Sequence, residues 1–203
     1  ARWVGVFPAV TTQFHQNQSL DLAGTARHCE ALIDAGVAGL IMGGSLGENQ
    51  TMQADEKRAV VKCAIEVAGG RVPVLTGVAE MNTRAAADYM RDCEKLGVSG
   101  YMVMPPMVYK ADPRELMHWF RTLAAVTPLP WMLYNNPTGY TADFGQNYAN
   151  VRGFGWVVPG TATPRSLVGN GRDRNASGVT DQRLDTTMHM QGDTIPNFGN
   201  VAL

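Results

Sequence analysis

Apolar positions in the first 141 residues alternate between two rhythms, a short continuous run followed by a stripe at helical spacing. Val4 to Thr12 is rich in β-formers, and Leu20 to Ala35 then carries Leu22, Ala26, Cys29, Leu32 and Ile33 on one helical face, stopping at Gly36. Ala38 to Met42 predicts a buried second strand. Thr51 is placed to cap a helix with Val60, Val61, Ala64, Ile65 and Ala68 on one face and Gly69 behind it. The third unit runs from Val72 to Gly77, takes Asn82 as its helix cap, and carries Ala86, Tyr89, Met90, Cys93 and Leu96 before Gly97. Tyr101 to Met104 opens the fourth. Its helix begins Asp112-Pro113-Arg114-Glu115, which supplies a capping acid, a proline at the first helical position and a glutamate at the third. Leu116, Trp119, Phe120 and Leu123 form the buried stripe, and Pro130 to Tyr134 predicts a fifth strand.

Strand–helix units of roughly thirty residues predict parallel strands joined by right-handed helical crossovers. An internal echo supports the division: Ala35-Gly36-Val37-Ala38-Gly39 matches Leu96-Gly97-Val98-Ser99-Gly100, and Arg71-Val72-Pro73-Val74 matches Pro128-Leu129-Pro130-Trp131. The pattern fits either an open doubly wound α/β sheet or a closed (β/α)8 barrel of the TIM type. After Thr141 the helical periodicity fades, Gly, Asn, Thr, Arg and Asp become frequent, and no lysine follows Lys110. One further strand is expected at Trp156 to Val158. The chain therefore divides into a βα portion, residues 1–141, and a divergent C-terminal segment, residues 142–203.

Charge is nearly balanced, with 17 Lys+Arg against 18 Asp+Glu, so neither a nucleic-acid face nor an anionic-membrane face is expected. No apolar run is long enough to span a membrane, and Ala1-Arg2-Trp3-Val4 does not read as a signal peptide. Cys29, Cys63 and Cys93 each fall on the apolar side of a helix, as buried, reduced thiols of a cytoplasmic protein would. His15, His28, His118 and His189 are scattered without paired spacing, so no metal centre is expected.

Ligand sites of parallel α/β proteins lie beyond the C-terminal ends of the strands. Thr11 and Thr12 stand there after strand one, and the loop Gly43-Gly44-Ser45-Leu46-Gly47-Glu48-Asn49 after strand two. Pro105, Pro106 and Tyr109 follow strand four, and Tyr134, Asn135 and Asn136 close strand five. Glycines at 43, 44 and 47 let backbone N–H groups approach a carboxylate, and a serine with two tyrosines on one rim can relay a proton. The loop does not fit the G-x-G-x-x-G nucleotide fingerprint, and Glu48 would repel a phosphate.

Gly-Gly-Ser-Leu-Gly-Glu-Asn at 43–49, Met-Pro-Pro-Met-Val-Tyr-Lys at 104–110 and Tyr-Asn-Asn-Pro at 134–137 resemble the dihydrodipicolinate synthase and N-acetylneuraminate lyase family, over about Val4 to Thr141. The resemblance implies a (β/α)8 barrel and class I aldolase chemistry, in which a lysine forms a Schiff base with a 2-oxo acid such as pyruvate, without metal or organic cofactor, in a homotetramer or homodimer. By the same resemblance Tyr134 is the proton-shuttling tyrosine, and Ser45 bonds that tyrosine and the substrate carboxylate. Tyr109 is a looser match to a tyrosine contributed across a subunit interface. Gly44, Ser45, Leu46 and Thr12 are the expected substrate-binding positions.

Four departures accompany it. Gly139 stands where the synthases carry an arginine, Leu46 replaces a second hydroxyl, and Gln13 replaces a proline. The fourth is the Schiff-base lysine itself, expected on strand six, where Phe154-Gly155-Trp156-Val157-Val158-Pro159-Gly160 has none. Lys110 is the one lysine near a strand end, a poor substitute on a surface loop, while Lys57, Lys62 and Lys95 are expected to be solvated helix charges. Two functions follow as expectations: a Schiff-base lyase of small 2-oxo acids, or a non-catalytic oxo-acid-binding relative that has lost its nucleophile.

Overall fold

The computed structural model describes residues 3–106, 109–135, 156–159 and 187–190. Strands β1 (Gly5–Pro8), β2 (Leu40–Met42), β3 (Val74–Val78), β4 (Gly100–Val103), β5 (Trp131–Asn135), β6 (Trp156–Pro159) and β7 (Thr187–Met190) accompany helices α1 (Leu22–Asp34), α2 (Ala54–Ala68), α3 (Thr83–Leu96) and α4 (Pro113–Ala124). Strands β2 to β6 form one parallel sheet in chain order, and β1 joins it through a parallel bridge from Ala9 to Ile41. This is the curved inner wall of a (β/α)8 barrel. The boundary between residues 141 and 142 lies outside the described residues.

The first strand is shorter than the run of β-formers predicts. Its other edge is taken by β7, antiparallel, with Gly5 opposite Met190 and Pro8 opposite Thr187. The stretch Thr187-Met188-His189-Met190 alternates polar and apolar over four residues only, too short to announce a strand, and its partner lies far back in the chain.

Period-two alternation divides the core into two layers. Tyr101, Val103, Trp131 and Leu133 face the helices and pack with Val60, Val61, Ala64, Tyr89, Met90, Phe120 and their neighbours. Phe7, Ile41, Leu75, Ala79, Met102, Met104 and Met132 face inward, with Trp3 beneath them. Long side chains tie the sheet to the helices: the Tyr101 hydroxyl donates to the Met90 carbonyl (2.7 Å) and Trp119 Nε1 to the Met104 carbonyl (3.1 Å).

Helix starts follow the capping chemistry in two of the three cases read from sequence. Asn82 Oδ1 accepts from the Ala85 N–H (2.9 Å), and Asp112 Oδ1 accepts from the Arg114 and Glu115 N–H groups (2.7 and 3.1 Å). For α2 the cap is Gln53, not Thr51: Glu56 Oε2 reaches back to the Gln53 N–H (2.8 Å), while Thr51 Oγ1 donates to the Glu48 carbonyl (2.9 Å) in the preceding turn.

Cys29 and Cys93 are fully buried, whereas Cys63 is only half-buried, its Sγ 3.5 Å from the Leu22 carbonyl. Burial pushes the Cys29 and Cys93 thiols up to about 12 and raises the hydroxyls of Tyr89 and Tyr101. Each group gives up its proton more readily when unfolded. Their contribution is therefore complete below the ordinary thiol value of 9.0 and is lost as pH rises towards 12. Urea midpoints measured from pH 7 upward should hold level and then fall above about pH 9. At about pH 8 a thiol reagent should modify Cys63 well before the other two, as mass spectrometry of the digested protein would show.

Candidate active site

The turn after β2 is built by glycine geometry. Gly43 has φ +60°, Ser45–Gly47 form a single 3-10 turn, and Glu48 closes it in the left-handed region at φ +57°. The N–H groups of Gly47, Glu48 and Asn49 fold back onto the carbonyls of Gly44, Ser45 and Gly44 respectively. At Gly77 on the neighbouring strand a Cβ would run into the Gly43 carbonyl, so β2 and β3 come this close only because that position is glycine.

Thr12, one of the expected substrate-binding positions, is buried and its hydroxyl donates to the Gly47 carbonyl (2.7 Å), bracing the turn from β1's side. Gly44 faces the interior: a Cβ there would lie 3.6 Å from the Met102 methyl and 3.8 Å from Ala9. Ser45 is exposed at the head of the turn, and Leu46 is half-buried beside it. Tyr134, near the end of β5, is half-buried against the same inward-facing cluster that holds Met102. The inner face thus brings Gly44 and Tyr134 to one rim.

Tyr109 lies elsewhere. It is 57% exposed and its hydroxyl donates to Glu115 Oε1 (2.9 Å), a bond to a carboxylate that raises the phenol above its usual value. With Met81, Asn82, Pro106, Glu115 and His118 it lines an open cleft of about 590 Å³ between the starts of α3 and α4. Lys110 next to it is exposed, and Gly139 lies outside the described residues. Strand β6 is Trp-Val-Val-Pro, without a lysine. Among the described residues no group of three or more His, Cys, Asp and Glu side chains is arranged to hold a metal ion.

Behind the turn is a polar layer that the sequence reading missed. Lys57 is buried, not solvated: Nζ sits 2.8 Å from Glu80 Oε1, with side chains 9% and 16% exposed. Lys57 falls on the same i, i+3, i+4, i+7 stripe as Val60, Val61 and Ala64, a signal that was available. Glu80 follows β3, so the pair ties α2 to the strand ends. Next to it Thr76 Oγ1 and the Tyr89 hydroxyl are 2.7 Å apart, and the Arg58 guanidinium lies 5.5 Å from the Tyr89 ring centroid. Arg58 also bonds Asp92 through Nε and Nη2 (2.9 and 2.8 Å), which holds that carboxyl below its usual range.

A curved parallel sheet with its polar rim at the carboxyl ends of the strands defines a (β/α)8-barrel protein, a fold whose sites lie on the C-terminal face. Residues 2–146 match the dihydrodipicolinate synthetase family, and the chain belongs to that family. An uncharacterized DapA-like lyase of Rhizobium meliloti is 40% identical over 143 residues, 70% of this chain and 47% of that protein. YagE of Escherichia coli K12 is 36% identical over 215 residues, 100% of this chain and 71% of YagE. The solved structure of YagE in complex with pyruvate has a TM-score of 0.72 at 30% identity, covering 82% of this chain and 58% of YagE. Dihydrodipicolinate synthase DapA-2 from Bacillus anthracis gives 0.73 at 28% identity over 77% and 55% of the two chains. The chain spans about half the length of the Rhizobium relative and of DapA-2.

Proposed function

We propose that the protein is a class I aldolase-type lyase acting on a small 2-oxo acid, with the Gly44 to Leu46 turn as the cradle for the substrate carboxylate. What supports this reading is that Gly44 and Tyr134 both border the inward-facing cluster that contains Met102, in a fold whose relative YagE has been solved with pyruvate. Ser45 anchors the carboxylate, and Tyr134 moves protons: it protonates the departing hydroxyl when a lysine amine has added to the C2 carbonyl, so that water leaves and the iminium forms. Tyr109, exposed in the single chain, fits a role completed by a second copy in a homodimer or homotetramer. Unpaired cysteines fit a cytoplasmic setting, and the chemistry calls for no cofactor.

The lysine is the open term, because β6 contains none. That observation favours a second reading, an oxo-acid-binding relative without covalent chemistry. Pyruvate with borohydride, read by mass spectrometry, separates the two. A version carrying a lysine at the end of β6 should acquire an adduct, and failure to do so would overturn the Schiff-base mechanism. Under the second reading the 203-residue chain binds pyruvate by calorimetry, more weakly as Ser45→Ala, and acquires no adduct; an adduct on it would overturn that reading and point to a lysine elsewhere.

A further inference from the structure

Asn49 closes the turn and is fully buried. Its Nδ2 donates to the Gly43 carbonyl at 2.9 Å and to the Gly77 carbonyl at 3.4 Å, while Oδ1 meets no donor among the described residues. An orphaned buried acceptor is a net cost, so stability alone does not account for an asparagine in this place. Its two donated bonds are what an apolar residue of the same volume cannot supply.

Those bonds fall where the β2–β3 ladder stops. The last paired residues of β2 and β3 are Met42 and Thr76; Gly43 and Gly77 come next, their backbones too close for any side chain between them. The Asn49 amide bridges their two carbonyls and so acts as one more rung beyond the ladder, supplied by a side chain. A Cβ on Gly43 would sit 3.1 Å from Nδ2, 3.6 Å from Thr76 Oγ1 and 3.8 Å from the Tyr89 hydroxyl, so the layer behind is packed as well. The start of the turn is held on one side by this amide, and its Gly47 carbonyl on the other by Thr12.

We propose that Asn49 is the positioning residue of the carboxylate cradle: it touches no substrate and acts through Gly43, fixing where Gly44 and Ser45 stand over the barrel interior. The inference rests on the reading of this turn as an oxo-acid cradle. Hydrogen exchange by mass spectrometry and pyruvate binding by saturation-transfer NMR on the 203-residue chain test the two separately. In Asn49→Ala, exchange of the amides of residues 43–49 should quicken about tenfold, the scale of one to two lost hydrogen bonds, while residues 74–78 and 83–96 keep their protection. Pyruvate affinity should fall by a similar factor. Asn49→Asp, which keeps the shape and loses the donors when ionised, should behave like the alanine variant. Unchanged exchange over 43–49, a uniform loss of protection across 74–96, or an unaltered pyruvate affinity beside a wild type that binds would each overturn the proposal. If wild type gives no pyruvate signal while the local exchange pattern appears, the cradle reading fails and the positioning role of Asn49 stands.

Discussion

Replacing Lys57 by alanine should cost about 3–5 kcal/mol of folding stability, the range for removing one partner of a buried ion pair. The amine and Glu80 are 2.8 Å apart with side chains 9% and 16% exposed, so little water screens them. Most of the loss comes from the glutamate left behind, a largely buried charge without its partner, and not from the attraction itself. Urea denaturation of Lys57→Ala, Glu80→Gln and the double variant checks this origin. The double variant should recover a large part of what Lys57→Ala loses, since no bare charge remains. A single-variant loss below about 1 kcal/mol, as for a solvated surface pair, would show that the side chains separate in solution.

Gly77→Ala is the second large effect expected, about 3 kcal/mol, at the upper end for overpacking a tight site. The added methyl would strike the Gly43 carbonyl and stand 3.2 Å from the Gly44 nitrogen, both backbone atoms that no rotamer change can move aside. Relief requires the strand ends to part, which withdraws the Gly77 carbonyl from Asn49 and carries the turn off the Met102 floor. Stability and pyruvate binding should therefore fall together, as thermal melts and calorimetry on one preparation would show. A variant that melts within about 1 kcal/mol of wild type would mean that β2 and β3 do not approach as described.

Much of the architecture was legible because local and long-range preferences agree over the first five units. The caps at Asn82 and Asp112 are local hydrogen-bond chemistry, visible in four residues each, and the stripes on α3 and α4 are buried as their spacing requires. The family resemblance rested on the same stretch, residues 4–141, that the family match covers within 2–146. What escaped was chemistry completed by a distant partner. Lys57 meets Glu80 across 23 positions, and Thr12 meets Gly47 across 35, so neither bond has a sequence signature. Thr51 lost the cap to Gln53 because α2 begins only at Ala54, which leaves Thr51 in the preceding turn, its hydroxyl donating to the Glu48 carbonyl. At the candidate site, the turn and Tyr134 were singled out from their place at strand ends, whereas Asn49 read as the last letter of a motif and not as a clasp.

The order of the sheet bears on how the molecule is made. Each strand from β2 to β6 pairs with the strand next to it in the chain, so a nascent polypeptide can add one strand–helix unit at a time against an edge already formed. Assembly in the order of synthesis spares the chain the distant strand pairings that slow β-sheet folding. The exception is β1, whose outer edge waits for residues 187–190. That edge is the last to be covered, and until then it is the place where an emerging chain is open to pairing with the wrong strand.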